Sequence, residues 1–340
     1  MRARLSISFT LAAGVLLSLP AAAAAGSPGI RTGTTTETEE SAQMPTTPIV
    51  LTEQAEPEIL VMDPTADWST DEARLWAWSP GPDSDLNAPD EAWYHPDDAR
   101  LRTDERTGEQ FVMVSDSFGL LAQVPYPAGG RVAWSVDGTH EASPHGIELL
   151  PDGNVAAAAS GGDWVRIYTA SQGRDSEEFV EAELIGAHQV LWSDQDDLLW
   201  ALGDDELVTF EIGGTPAEPS LERTATYDLP TSGGHDLQPV SGDQDRVWVT
   251  TVYSVFQFVK SEQKWDLRYP RYDELYRVNV KSIGTDAASG TVLETAVQPE
   301  NPCGHCTDHV DLFTGTDGRS TLTLPDSEIY RARWFDEESN

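Results

Sequence analysis

The chain is poor in cysteine and in basic residues, and each shortage excludes a class of protein. Cysteine occurs only twice in 340 residues, which excludes a disulfide-dense scaffold. Lys and Arg number 21 against 58 Asp and Glu, so the formal net charge is −37. Because phosphate binding needs clustered Lys and Arg, we expect no nucleic-acid partner. The acid excess is typical of a solvated surface that keeps a protein soluble.

The N-terminal segment has the pattern of an export signal. Two arginines precede a short apolar run and a stretch of alanines, which predicts a signal peptide over residues 1–25 with cleavage near Ala25. A membrane anchor is the alternative, but the apolar run is short and is interrupted by Ser, Thr and Gly. We therefore expect a secreted, extracellular protein without membrane insertion.

Residues 26–47 are rich in Thr and Glu and almost without large apolar side chains. Such a segment cannot bury enough surface to offset the entropy of ordering it, so we interpret it as a flexible leader. The remaining residues, 48–337, are predicted to form one domain, and we expect that domain to be a monomer.

From Ile49 onward, short β-branched and aromatic stretches alternate with Gly, Asp, Pro and Asn, and no segment shows sustained helical periodicity. Pro144–Asn154 predicts a strand and a Pro-Asp-Gly turn, and three further strands follow it. Comparable units recur about every 46 residues. Four strands in a repeat of this length are typical of one blade of a β-propeller, so the fold class is predicted to be all-β.

The two ends of the chain supply incomplete units. The first segment offers three strands, Ile49–Glu53, Glu58–Met62 and Arg74–Trp78, and the C-terminus offers one, Ile329–Phe335. If the C-terminal strand takes the innermost position of the first blade, the ring closes without an open sheet edge. This predicts a six-bladed β-propeller closed by the C-terminal strand, in preference to seven blades.

The repeat also aligns a set of titratable residues. The first polar residues of the innermost strands are Arg100, His145, His188, His235, Lys281 and Arg331. Because innermost strands line the central channel, we predict that these six residues converge on one rim and bind a ligand. The alternative is that each histidine is an ordinary strand-end residue bonded to a nearby loop.

Two chemistries would use such a ring. A cationic cluster in a negative protein binds an anion, best a carboxylate, which points to an acidic polysaccharide or another anionic small molecule. Alternatively, His145, His188 and His235 hold a divalent transition metal, Zn or Mn. Anion binding and metal binding are compatible in a lyase. There Lys281 or His188 takes a proton from the substrate, and Arg100 and Arg331 neutralise the uronate carboxylate.

Other residues in loops have specific interpretations. The sequence Cys303-Gly304-His305-Cys306 matches a redox motif, but it lies before a strand rather than at a helix start, so we predict a structural disulfide between Cys303 and Cys306. A zinc knuckle that includes His305 is the alternative. The aromatic residues near loops are candidates for stacking on a sugar ring: Trp68, Trp93, Tyr94 and Trp265.

Five segments carry a resemblance to a known family: Pro144–Asn154, Trp164–Tyr168, Gly233–Pro239, Val280–Gly284 and Ile329–Trp334. They resemble an uncharacterised family of secreted bacterial β-propeller-like proteins, which implies the fold and no activity. That family often has Lys where this chain has Arg331. In architecture alone, the histidine ring is similar to that of propeller oligogalacturonate lyases, which hold a divalent metal through histidines and a Gln. No Gln lies in the ring register here.

The expected function is that of a secreted propeller whose basic channel binds an anionic, uronate-type saccharide, with metal-assisted lyase activity as its enzymatic form. The alternative is a non-catalytic extracellular propeller that binds carbohydrate or protein.

Overall fold

The structure is a computed structural model that describes residues 45–315 and 318–339. The predicted signal peptide, and the predicted leader except for its last three residues, lie outside the described residues. The helical segments of residues 45–315 and 318–339 are too short to span a membrane.

The strands follow the chain in groups of four. Blade 1 has β1 (Ile49–Glu53), β2 (Glu58–Met62) and β3 (Arg74–Trp78). Blade 2 has β4 (Pro96–Thr103), β5 (Gln110–Asp116), β6 (Leu120–Pro125) and β7 (Trp134–Asp137). Blade 3 has β8 (Pro144–Leu149), β9 (Val155–Ala159), β10 (Trp164–Tyr168) and β11 (Phe179–Glu183). Blade 4 has β12 (Gln189–Ser193), β13 (Leu198–Leu202), β14 (Glu206–Thr215) and β15 (Glu218–Asp228).

Blade 5 has β16 (Gly234–Val240), β17 (Asp243–Thr251), β18 (Val255–Val259) and β19 (Lys264–Asp266). Blade 6 has β20 (Val280–Thr285), β21 (Val292–Ala296), β22 (His309–Thr314) and β23 (Gly318–Thr323). The last strand is β24 (Ile329–Trp334), and a single turn of α-helix, α1 (Tyr272–Leu275), lies between blades 5 and 6.

The C-terminal strand completes blade 1. Its sheet has the order β24-β1-β2-β3, and Ile49 of β1 lies opposite Trp334 of β24. Beyond the strand, the N–H of Phe335 donates to the carbonyl of Pro48 at 2.7 Å. The six-bladed propeller closed by its C-terminal strand is thereby confirmed, and the ring joins its first and last strands by main-chain hydrogen bonds.

The blades pack through apolar faces on both sides of each sheet. In β9, Ala157 and Ala159 join the apolar cluster shared with blade 2, whereas Ala156 and Ala158 join the cluster shared with blade 4. Successive side chains of a strand point to opposite faces, so a strand between two neighbours is apolar at every position. Small side chains along β9 let both neighbouring blades approach closely.

One hairpin shows how the repeat turns at the end of the innermost strand. The chain between β8 and β9 reverses at Pro151-Asp152-Gly153-Asn154, where Gly153 has a φ of 78° and its N–H donates to the carbonyl of Leu150 at 2.8 Å. Left-handed backbone of this kind favours glycine. The Pro-Asp-Gly signal therefore fixes the first turn of blade 3, as the sequence predicts.

Candidate functional site at one mouth of the channel

The innermost strands begin at the same end of the channel, and most are irregular there. In β4, for example, the pairing with β5 slips between Pro96 and Asp98, and β8, β16 and β20 slip in the same way. A β-bulge leaves its extra residue unpaired and re-aims that side chain. The bulged residues are Asp97, His145, His235 and Lys281. His188 directly precedes β12, and Tyr330 lies at the register shift of β24.

These six residues form what we call the mouth ring: Asp97, His145, His188, His235, Lys281 and Tyr330. The structure thus brings together four of the six residues that the sequence predicts for this rim. The other two, Arg100 and Arg331, lie farther along their strands and are 0% and 1% exposed. Asp97 and Tyr330 occupy the two rim positions that the sequence analysis predicted for Arg100 and Arg331.

The three imidazoles of the mouth ring are neighbours. The ring centres of His145 and His188 are 4.4 Å apart, and those of His188 and His235 are 5.0 Å apart. Each Nδ1 faces the carbonyl oxygen two residues earlier, at 2.8 Å for His145, 3.2 Å for His188 and 2.8 Å for His235. A carbonyl only accepts, so each Nδ1 is the donor and each Nε2 carries the lone pair.

Burial keeps these imidazoles neutral. It lowers the pKa of His145 to about 3 and the pKa of His235 to about 3. For His188, burial and the two neighbouring imidazoles hold the pKa well below its ordinary value. A buried histidine loses its proton because the charged form is poorly solvated. The histidines therefore contribute Nε2 lone pairs at neutral pH, and not positive charge.

Lys281 is the cation of the mouth ring. Its Nζ lies 5.4 Å from the ring centre of Tyr330. Burial and the charge of Arg331 lower the pKa of Lys281 to about 8. Among residues 45–315 and 318–339, Lys281 is the only Lys or Arg without a carboxylate within 4.0 Å.

Asp97 is the carboxyl group of the mouth ring, and the sequence analysis missed it. Its Oδ1 lies 3.7 Å from Nε2 of His145, and its buried Oδ2 has no hydrogen-bond partner in the described part of the chain. Burial and the charge of Asp116 raise the pKa of Asp97 well above its ordinary value. The signal was the pair Asp97-Asp98, which stands where blades 3 to 5 have His-Gly, His-Gln and His-Asp.

Below the mouth ring, Arg331 closes the channel. Its guanidinium donates to main-chain carbonyls from four other blades: those of Asp97 at 3.1 Å, His145 at 2.9 Å, His235 at 3.0 Å and Lys281 at 3.3 Å. Five donors in one planar group suit this arrangement, which a lysine could not reproduce. Arg331 therefore supports the mouth ring from beneath, through the backbone of the residues that form it.

A network of buried ion pairs fills the channel beneath Arg331. Arg333 donates to Asp98 at 2.6 Å and to Asp236 at 2.8 Å. Arg100 donates to Asp98 at 3.0 Å and to Glu148 at 3.2 Å. Every one of these five side chains is at most 3% exposed. The arginines of the channel thus have carboxylate partners within the protein, whereas Lys281 of the mouth ring has no carboxylate within 4.0 Å among the described residues.

The predicted metal ligands are neighbours without forming a compact donor set. Among residues 45–315 and 318–339, the only group of three or more possible ligands with donor atoms within 4.8 Å of one another is Cys303, His305 and Cys306. Two of these are joined in a disulfide, with Cα atoms 5.6 Å apart, which confirms the predicted pairing. That loop brings His305 to the mouth, since its ring centre lies 5.9 Å from that of Tyr330.

The protein is thus a six-bladed propeller whose channel is filled by buried ion pairs and whose mouth carries histidine, lysine, aspartate and tyrosine side chains. The chain belongs to the family of unknown function DUF6528, which matches residues 6–338. This confirms the resemblance seen in the sequence. No curated protein matches the sequence.

Solved structures share the fold at low identity. A protein of unknown function from Bacteroides caccae is 11% identical, with a TM-score of 0.53 over 85% of this chain and 98% of that chain. The periplasmic gluconolactonase PpgL of Pseudomonas aeruginosa is 14% identical, with a TM-score of 0.51 over 82% of this chain and 80% of that chain. At such identities the likeness concerns the fold alone.

Removal of the Arg331 guanidinium tests its role in the channel. We expect R331M to lower the free energy of unfolding by about 3–5 kcal/mol, because it leaves four buried carbonyls without their donor and removes a positive charge within 4.0 Å of Asp98 and Asp236. The matched control is R131M, since Arg131 pairs with Asp85 at the surface and its side chain is 65% exposed. An exposed pair contributes about 0–1 kcal/mol. Equal losses for the two variants, measured by denaturant unfolding, would contradict the assignment.

Proposed function

We propose that the mouth ring binds the carboxylate of an acidic, uronate-type saccharide, with Lys281 as the counter-charge. The observation that carries this proposal is the unpaired ammonium of Lys281 in a chain of net charge −37. In so acidic a protein, a half-buried ammonium group with no carboxylate within 4.0 Å among the described residues is unusual, since buried charges are normally paired. A ligand carboxylate supplies the missing partner.

The imidazoles suit the rest of such a ligand. Because each Nδ1 donates to a carbonyl, each Nε2 accepts, and sugar hydroxyls are donors of the matching kind. Histidines hold Zn or Mn through the same lone pairs, and a hydrogen bond from the other ring nitrogen to a carbonyl commonly orients a metal-binding imidazole. We therefore assign hydrogen bonding to sugar hydroxyls as the first role of His145, His188 and His235, and metal binding as the second candidate role.

The enzymatic form of the proposal is a β-elimination. The amine of Lys281, or Nε2 of His188, takes the proton from the carbon next to the carboxylate, and the electron pair of that C–H bond forms a carbon–carbon double bond. The glycosidic C–O bond breaks, and the leaving oxygen keeps its electron pair and takes a proton from water. A base with a pKa near the working pH suits this step. The rival form is a binding protein without turnover.

The charge of Lys281 makes binding depend on pH. We expect the affinity for a galacturonate oligomer, measured by calorimetry, to fall as the pH rises through about 8, because Lys281 then loses its proton. K281M should weaken binding at least about tenfold at pH 6.5, since a charge-assisted bond is lost, and K281R should keep affinity above pH 8. The control is K260M, because Lys260 is already paired with Asp196 at 2.7 Å.

Unchanged affinity in K281M would overturn the binding proposal. Measurement of the unsaturated uronate product by its ultraviolet absorbance distinguishes the lyase from the binding protein without turnover. A lyase that uses Lys281 as base gives a product-formation rate that rises through the pH range in which binding weakens. Binding without product identifies the non-catalytic form.

The metal assignment has its own measurement. Hydroxyl recognition predicts no bound metal, and the donor atoms of the three imidazoles do not all lie within 4.8 Å of one another. The metal role predicts about one Zn or Mn per chain in elemental analysis of protein purified without chelating resin. Chelator should remove the metal and lower the melting temperature, and H188Q should not retain it. H309Q is the control, because His309 Nδ1 is held by Asp308 at 2.7 Å, away from the three imidazoles. Absence of metal in the wild type would leave the imidazoles as hydroxyl acceptors.

A further inference from the structure

The four aromatic residues predicted to stack on a sugar, Trp68, Trp93, Tyr94 and Trp265, have different surroundings in the structure. Trp68 is only 3% exposed and belongs to an apolar cluster. Trp93 packs edge-on against Trp78, with ring centres 5.3 Å apart, and Trp265 packs against Phe258 at 5.0 Å. These three tryptophans therefore serve as packing residues.

Tyr94 differs, because it is 55% exposed and lies in a group of rings. Its ring centre is 4.7 Å from that of His95 and 4.9 Å from that of Phe118. Phe118 in turn stacks on His140, with ring centres 4.1 Å apart and planes inclined by 24°. We call Tyr94, His95, Phe118 and His140 the aromatic platform.

A buried carboxylate holds the aromatic platform in place. Asp116, at the end of β5, accepts the main-chain N–H of Tyr94 at 2.9 Å, of His95 at 3.1 Å and of Phe118 at 2.7 Å. These bonds join the segment before β4 to the turn after β5. The rings are thus presented on a fixed backbone, and a ligand that stacks on them does not have to order the loops first.

The aromatic platform is continuous with the mouth ring. The ring centre of His95 lies 6.3 Å from that of His305, which lies 5.9 Å from that of Tyr330. Tyr330 is in turn 6.0 Å from His145. A ligand long enough to leave the mouth ring on this side passes His305 and reaches the platform.

We propose that the aromatic platform is a second sugar subsite, which stacks a pyranose ring of the saccharide whose charged residue occupies the mouth ring. This inference rests on the proposed function of the mouth. A pyranose presents an apolar face of C–H groups and an edge of hydroxyls. The exposed rings of the platform offer a flat surface that matches the apolar face. The imidazoles of the platform and the Tyr94 hydroxyl are polar groups that can form hydrogen bonds with the sugar hydroxyls.

The assignment predicts that the length of the ligand decides which residues contribute. We expect Y94A to weaken binding of a galacturonate trimer about tenfold, because one stacked ring is lost, and to leave binding of the galacturonate monomer unchanged. K281M should weaken both. The matched control is Y253A, because Tyr253 is also 55% exposed but makes no ring contact within the described residues. H140A, a second exposed platform residue, repeats the test with a different side chain, and melting temperatures confirm that each variant is folded.

Calorimetric titrations of the galacturonate trimer, the monomer and the methyl-esterified trimer, which lacks the charges, separate the possible results. If Y94A and H140A bind the trimer as tightly as Y253A does, the platform subsite is overturned while the mouth proposal stands. If wild-type protein binds both trimers equally and only Y94A and H140A weaken them, the platform is supported and the carboxylate role of Lys281 fails. Wild-type protein that binds none of the three overturns both.

Discussion

The guanidinium of Arg331 lies inside the channel, where it is buried and bonded to four of the other five blades. It comes from the closing strand β24, and its hydrogen bonds reach the carbonyls of residues in blades 2, 3, 5 and 6. The strand that closes the ring through main-chain pairing therefore also joins the blades at the centre. Closure of the fold and geometry of the mouth ring depend on the same strand.

This position divides the channel into two chemically different parts. Beneath Arg331, arginines and carboxylates are paired and buried, as in Arg333 with Asp236. Above it, burial and, to a smaller extent, the charge of Arg331 favour neutral imidazoles and lower the pKa of Lys281 to about 8. A ligand that approaches from the mouth meets three partly exposed imidazoles and one partly exposed ammonium group, whereas Oδ2 of Asp97 is buried beside them. The groups available to such a ligand thus lie at one end of the channel.

The fold was predictable because it follows from periodicity. The repeat of about 46 residues and the unaccompanied strand at the C-terminus were sufficient to predict six blades and the closing strand. The candidate site was predictable where the repeat is regular, as for His145, His235 and Lys281. The prediction failed at Arg100 because β4 begins at Pro96, four residues earlier than the predicted start, so that Asp97 reaches the rim. It failed at Arg331 because Tyr330, one residue earlier, lies at the register shift of β24. The buried ion pairs around those arginines join residues of different blades, so no local sequence pattern indicates them. The aromatic platform is built from two loops and likewise has no repeat in the sequence.

A crystal structure of the protein with galacturonate, grown near pH 6, tests the central claim most directly. The account predicts the sugar carboxylate in contact with Nζ of Lys281 and its hydroxyls facing Nε2 of the three histidines, with Arg331 still bonded to the carbonyls beneath. Galacturonate bound at the opposite end of the channel, or displacement of Arg331 so that its guanidinium pairs with the sugar carboxylate, would contradict the account.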